Sequence, residues 1–205
     1  MTQNLPELFR IVANLKRTPR TGWLDRGLPP AEAESVADHG FMTAFIAWVV
    51  AHDNPDLDAD RVLKLALIHD LAESIVGDRP PYEPHELPTD DPEAVRAFFS
   101  VRHIRTPENK AIKQRDEDAA AARLIGLMPE SVASAIGALW REYEDGITPE
   151  ARFVKNVDTL EAFLQSRAYL REHPDLPVGG FRDMALQEID DPTVAAIRDQ
   201  ILKNE

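Results

Sequence analysis

The 205-residue chain contains no cysteine. Disulfides and zinc–thiolate sites are therefore excluded, and any metal would have to be held by histidine and carboxylate. Long apolar runs are also missing. None approaches the roughly 20 residues needed to cross a bilayer, and the N-terminus lacks a secretory pattern. A cytoplasmic chain with no membrane association is expected. Positive charge is scarce: 23 Lys and Arg face 36 Asp and Glu, a net charge of -13. Such a balance argues against a nucleic-acid polymer as partner. It still permits a small anion held by a metal and a few local cations. Alternating strand patterns and internal repeats are absent as well. What remains is 43% hydrophobic and 29% charged residues, the composition of a globular, all-α chain. We expect one domain over 1–205, with a core over about 5–172 and C-terminal helices over 173–205 that contact a second subunit of a homodimer.

One stretch organises the rest. Leu65-Ala66-Leu67-Ile68 ends an apolar helix and runs straight into His69, Asp70, Glu73 and Asp78. Burying such groups is costly unless they are paired or bound to a metal. Spacings of three and four place Glu73 opposite both Asp70 and His69 on a continuing helix, and Gly77-Asp78 reads as a tight turn. An imidazole among carboxylates suits a hard-to-borderline metal ion. A second dipeptide, His52-Asp53, precedes Asn54-Pro55 and reads as a solvated helix end.

The remaining helices are expected over Leu5–Lys16, Ser35–Ala51, Asp60–His69, Glu93–Val101, Glu108–Leu127 and Ser131–Glu144. A further helix opens at Thr148-Pro149-Glu150, and two short ones cover Met184–Ile189 and Thr193–Leu202. Ser35–Ala51 is apolar nearly all round and is expected to be central and buried. It carries His39, either a core histidine or a ligand, and Gly40, which suggests close approach of another group. Asp158 lies off the stripe of Phe153, Val157, Leu160 and Leu164 by roughly 120°. It is either exposed or faces a pocket beside the core. Lys16-Arg17-Thr18-Pro19-Arg20-Thr21-Gly22-Trp23 reads either as an anion contact with a stacking Trp or as a helix end with its usual cations. The proline-rich passage from Pro80 to Pro92 is a rim over the site or a surface connection. His85 and His103 read as exposed loop residues; Glu117, Asp118 and the acids Glu142, Glu144 and Asp145 read as solvated.

Taken together, His39, His69-Asp70-Leu71-Ala72-Glu73 with Gly77-Asp78, the basic stretch ending at Trp23, and Glu150-Ala151-Arg152-Phe153-Val154-Lys155-Asn156-Val157-Asp158 resemble the HD-domain metal-dependent phosphohydrolase superfamily. Within it, the chain is most similar to the 5′-deoxynucleotidases, over Leu15 to about Tyr169. Asp38-His39-Gly40 departs from the usual Glu-His-Ser, and the segment from the proline-rich loop to about Asn109 looks longer than usual.

The resemblance implies an all-α HD helical bundle with a divalent metal site between helices, held by His39, His69, Asp70 and Asp158. It implies catalytic roles for Glu73 and Asp78, and a sugar-selecting role for Trp23. Arg17, Arg20 and Lys155 lie beside the motifs and are expected to contact a phosphate. Mixed imidazole–carboxylate ligation accommodates Mn, Co, Fe, Ni or Zn, and Mg is also admitted. The implied substrate is a small phosphate ester, a (deoxy)ribonucleoside 5′-monophosphate. Other phosphate esters, a nucleoside triphosphate, or a non-catalytic metal-stabilised scaffold stand as alternatives.

Overall fold

A computed structural model describes residues 4–88 and 91–204. Among them there are eleven α-helices and no sheet; Pro19 and Ser35 form an isolated antiparallel bridge. Three long helices make the frame: α3 (Val36–Ala51), α4 (Ala59–Ile68) and α9 (Pro149–Glu172). Each starts where its cap dictates. Ser35 and Asp38 form a reciprocal capping box on α3, Asp58 accepts from the Arg61 N–H at α4, and Thr148 accepts from the Ala151 N–H at α9 ahead of Pro149. Ala44, Ala47 and Ala51 of α3 are buried against Val62, Leu65 and Ala66 of α4 and Val154, Val157 and Leu160 of α9. Small residues on α3 let the three backbones approach closely, and the branched residues fill the spaces between them.

Around this frame lie α1 (Leu5–Val12), α2 (Thr21–Asp25), α5 (Glu73–Val76), α6 (Pro92–Phe99), α7 (Pro107–Ile125), α8 (Glu130–Asp145), α10 (Gly179–Glu188) and α11 (Pro192–Lys203). The first helix ends a turn earlier than its apolar pattern, in a 3-10 turn over Ala13–Arg17. Within the proline-rich passage Pro84–Glu86 is a single 3-10 turn, and Pro92 starts α6; residues 89 and 90 lie outside the described residues. Gly146, in the left-handed region at φ 61°, closes α8. Ala185, Ile189 and Val194 of the C-terminal helices are buried in the chain's own central core.

Four expectations need correction. First, α3 is not buried all round: its alanine face is, but Phe41 is 68% exposed and Phe45, Trp48 and Val49 about half. Hydropathy finds an apolar surface without telling which side the chain itself covers. Second, nothing lies within 4 Å of where a Cβ on Gly40 would sit, so no close approach explains that glycine. Third, the helix does not continue from His69 to Glu73. A turn intervenes, with the Glu73 N–H donating to Asp70 O at 3.0 Å before α5 begins. Fourth, α10 begins at Gly179 rather than at Met184, and the segment after α6 docks tightly on it. A Cβ on Gly180 would lie 2.6 Å from Val101 O and 3.0 Å from Phe99 O. Gly180→Ala is therefore expected to cost about 1–3 kcal/mol. That corresponds to a melting temperature lower by roughly 2–4 °C per kcal/mol in a chain of this length, read by thermal melts.

Candidate metal centre and active-site cleft

The frame brings the ligand atoms of His39, His69 and Asp70 within 4.8 Å of one another and sets Asp158 beside His39. His39 comes from the first turns of α3, His69 and Asp70 from the end of α4, and Asp158 from the third turn of α9. His39 Nε2 lies 3.0 Å from Asp158 Oδ1, 3.3 Å from His69 Nε2 and 3.7 Å from Asp70 Oδ2. His69 Nε2 lies 3.1 Å from Asp70 Oδ2. Donors bound at about 2.1 Å around one octahedral ion sit about 3.0 Å apart, so this spacing fits a divalent cation. Both imidazoles are turned for it. His69 Nδ1 sits 2.7 Å from Ala66 O, and His39 Nδ1 pairs with Glu161 Oε2. Each outer nitrogen thus has an acceptor, which leaves both Nε2 atoms facing the same space.

Charge points the same way. Burial and Arg20 press the His39 imidazole toward neutrality, but hydrogen bonds to Asp158 and Glu161 outweigh them and raise it to about 10. A proton stands where a cation would. Burial works to raise both Asp70 and Asp158. The neighbouring histidines overcome it and hold both below the usual range, helped at Asp70 by Arg20. Glu73 goes the other way. Burial first, then Asp70 and Asp78, push it up to about 10. Its Oε2 is buried and has no hydrogen-bond partner among the described residues. Such an orphan atom wants a water, a substrate atom or a metal-ordered solvent.

Asp78 is reached through Gly77, whose φ of 76° turns the chain back toward the site. One Asp78 oxygen accepts from the Thr21 N–H at 2.5 Å; the other lies 3.9 Å from Arg20 Nη1. Arg20 also reaches Asp70 Oδ2 at 3.4 Å. The basic stretch therefore points its second arginine, and not Arg17, at the carboxylates: Arg17 is exposed and is absent from the lining of the cleft.

The sequence matches the HD domain family over residues 12–179. The chain belongs to the HD domain family. It is 33% identical over 196 residues to 5′-deoxynucleotidase HDDC2 of Homo sapiens, spanning 95% of this chain and 83% of that one. It is likewise 33% identical over 161 residues to 5′-deoxynucleotidase hdd1 of Schizosaccharomyces pombe, covering 78% and 70%. Among solved structures, a conserved hypothetical protein from Pyrococcus furiosus superposes with a TM-score of 0.65 at 25% identity, covering 97% of this chain and 99% of that one.

In this HD domain the cleft above the centre is a cavity of about 300 Å³ lined by Arg20, Trp23, Asp70, Glu73, Asp78 and Asp158. Trp23 is a wall: it is 1% exposed, stacked on Phe181 at 4.3 Å, with its indole N–H donating to Glu34 at 2.8 Å. The two readings of Trp23, core packing and site contact, describe one residue. Lys155 sits over the Tyr143 ring at 4.4 Å and lines the adjoining hollow with His69, Asp70 and Asp158. His52 and Asp53 are exposed, away from the centre, as their context implied.

Several residues were missed. Arg79, Arg102, Arg105 and Lys113 bring cations to the cleft from the proline-rich segment and the stretch after it. His103 is not a free loop histidine: its Nε2 is 2.8 Å from Phe98 O and its ring packs on Phe98. Glu117 is buried rather than solvated and pairs with Lys113; burial raises it against that lysine. Tyr143 is also buried, in van der Waals reach of His69, and Glu142 accepts from Arg61 and Thr148. No local sequence signal announces the placing of Arg102, because its partners lie on α10, some 80 residues on. Glu161, by contrast, stands three residues after Asp158 on the same flank and was open to inspection.

Among the described residues no helix is long and apolar enough to cross a membrane.

Proposed function

We propose that this HD domain is a metal-dependent phosphomonoesterase that removes the 5′-phosphate from (deoxy)ribonucleoside monophosphates. The observation that carries the reading is the four-residue centre of His39, His69, Asp70 and Asp158 with the buried, unpartnered Glu73 carboxyl beside it. The 5′-deoxynucleotidase relatives support it. His39, His69, Asp70 and Asp158 would hold one divalent cation, of the Mn, Co, Fe, Ni, Zn or Mg group. When bound, that ion supplies Lewis acidity toward a phosphate oxygen and toward water.

The chain's own groups supply the rest. Arg20, anchored between Asp70 and Asp78, offers N–H donors to the phosphate. Lys155 adds positive charge from the other side. Glu73 is placed to exchange a proton with the attacking water or the leaving 5′-oxygen. Asp78, one oxygen occupied by Thr21, steadies Arg20 and presents its other oxygen to the cleft. In the overall step a water oxygen–phosphorus bond forms, the phosphorus–O5′ bond breaks, and the water's proton ends on the 5′-hydroxyl. Trp23 is the wall for the sugar. Arg17 has no role in this arrangement.

The rim cations favour a second reading at the level of substrate: an ester carrying more than one phosphate. Phosphate release decides between them. Stripped protein, resupplied with Mn²⁺ or Co²⁺, is offered dAMP, AMP, dADP and dATP. The main reading expects the monophosphates to be hydrolysed; turnover of dATP alone would replace it with the second, and turnover of none would remove both. Chelation gives an independent check. An ion at 100 times its dissociation constant stabilises by about 2.7 kcal/mol, so removing it is expected to lower the melting temperature by roughly 5–10 °C.

The proposal includes a cytoplasmic homodimer. The exposed Phe41, Phe45, Trp48 and Val49 on α3 support a face covered by a second copy, since apolar patches of that kind are uncommon on monomers.

A further inference from the structure

Behind the proposed centre lie a buried carboxylate, Glu161, and a half-buried one, Glu34, that the phosphate chemistry does not use. Glu161 is 2% exposed and sits on α9 three residues past Asp158. Its Oε2 faces His39 Nδ1. Next to it is Glu34: carboxylate oxygens of Glu34 and Glu161 and a ring nitrogen of His39 all lie within 4.8 Å of one another. Glu34 Oε1 accepts the Trp23 indole N–H, and the Glu34 backbone N–H donates to Tyr169 Oη at 2.8 Å. A continuous polar line thus runs from the Trp23 wall through Glu34 and Glu161 to His39.

A buried carboxylate is expensive without a donor, so Glu161 needs an account. Fold stability alone is a poor one, because an apolar side chain would fill the space at less cost. A second ion between Glu34, Glu161 and His39 is also disfavoured. The imidazole already turns Nε2 toward Asp158 and His69, and an ion on Nδ1 as well would strip the ring of both protons. A proton on Nδ1 satisfies both groups.

We propose that Glu161 is a positioning residue: by accepting the Nδ1–H of His39 it fixes the ring's tautomer and orientation, so that Nε2 is presented to the metal centre. The inference rests on the centre proposed above and not on the identity of the phosphate ester. Glu34 lies next to Glu161 and accepts the indole N–H of the Trp23 wall.

The test is metal affinity, measured without substrate. Isothermal titration of stripped protein with Mn²⁺ should show Glu161→Ala binding about 10–100-fold more weakly than the unchanged protein, with Glu161→Gln, whose amide oxygen still accepts from Nδ1–H, recovering to within about threefold. Circular dichroism confirms that each variant is folded. A folded Glu161→Ala with unchanged affinity overturns the proposal, and so does a Gln variant as weak as Ala. If Ala does not fold, the unchanged protein still decides. In the Zn²⁺-loaded form, ¹H–¹⁵N spectra of the histidine rings should show His39 protonated at Nδ1 and ligating through Nε2. The opposite tautomer sinks the proposal. Failure of the unchanged protein to bind any divalent ion overturns the centre and this inference together. Normal metal behaviour with no nucleotide turnover leaves Glu161 in place and removes only the substrate reading.

Discussion

Replacing Asp70 by alanine is expected to abolish phosphate release, to about a thousandth of the unchanged rate or below. The estimate follows from several kcal/mol of charge stabilisation supplied by a bound cation, at 1.36 kcal/mol per factor of ten. Asp70 stands apart from the other proposed ligands because it joins both imidazoles to the cleft arginine: it lies 3.1 Å from His69, 3.7 Å from His39 and 3.4 Å from Arg20. Its removal leaves two imidazoles facing each other with one acid fewer to share them. The fold should survive, since the α3–α4–α9 core is built from Ala47, Leu65, Val157 and their neighbours and not from the centre. The check is metal content by elemental analysis beside activity. An Asp70→Ala protein that keeps stoichiometric metal and measurable turnover would show that this carboxylate is not a ligand.

Glu73→Gln is expected to behave differently, with turnover falling roughly 10²–10⁴-fold, the range for loss of a general acid or base, while metal binding persists. Stability adds a second signature, with its sign fixed by burial. Burial and the two neighbouring aspartates raise the folded-state Glu73 to about 10 from an ordinary 4.5. A carboxyl raised on folding contributes stability that is complete below the unfolded value and is lost as pH climbs toward the folded one. The chelated protein therefore loses stability through this group between about pH 4.5 and 10, and Glu73→Gln, which cannot ionise, does not. The melting temperature of the variant minus that of the unchanged protein should grow from pH 5 to pH 9. A flat difference would mean that Glu73 is hydrated and ordinary. A variant with normal turnover would transfer the proton role to Asp78.

The helices were readable wherever local chemistry fixes them. Thr148 caps the helix it was expected to open, because capping is a contact between near neighbours in sequence. His69 and Asp70 announced themselves by their apolar context, whereas His39 and Asp158 each left two readings open that only the resemblance decided. Their meeting depends on how closely α3 approaches α9, which is set by alanines with no chemistry of their own. The outward face of α3 misled for a related reason, since an apolar wheel carries no record of which partner covers it. Least legible was the rim. Arg102 is placed by Asp183 and Glu188, and Gly180 makes room for Val101; such long-range pairings leave no periodic trace.

That docking of the 99–102 strip onto α10 separates two jobs along the chain. The groups that would perform hydrolysis come from α3, from α4 and the stretch through α5 to Asp78, from Arg20 ahead of α2, and from α9, while much of the outer wall of the cleft is carried by a strip of backbone seated against Gly179 and Gly180 at the start of α10. Changes at Arg102 or Arg105 can widen, narrow or recharge the entrance without replacing a single donor at the centre. An HD domain arranged in this way can acquire a new clientele by editing its doorway, and keep its reaction.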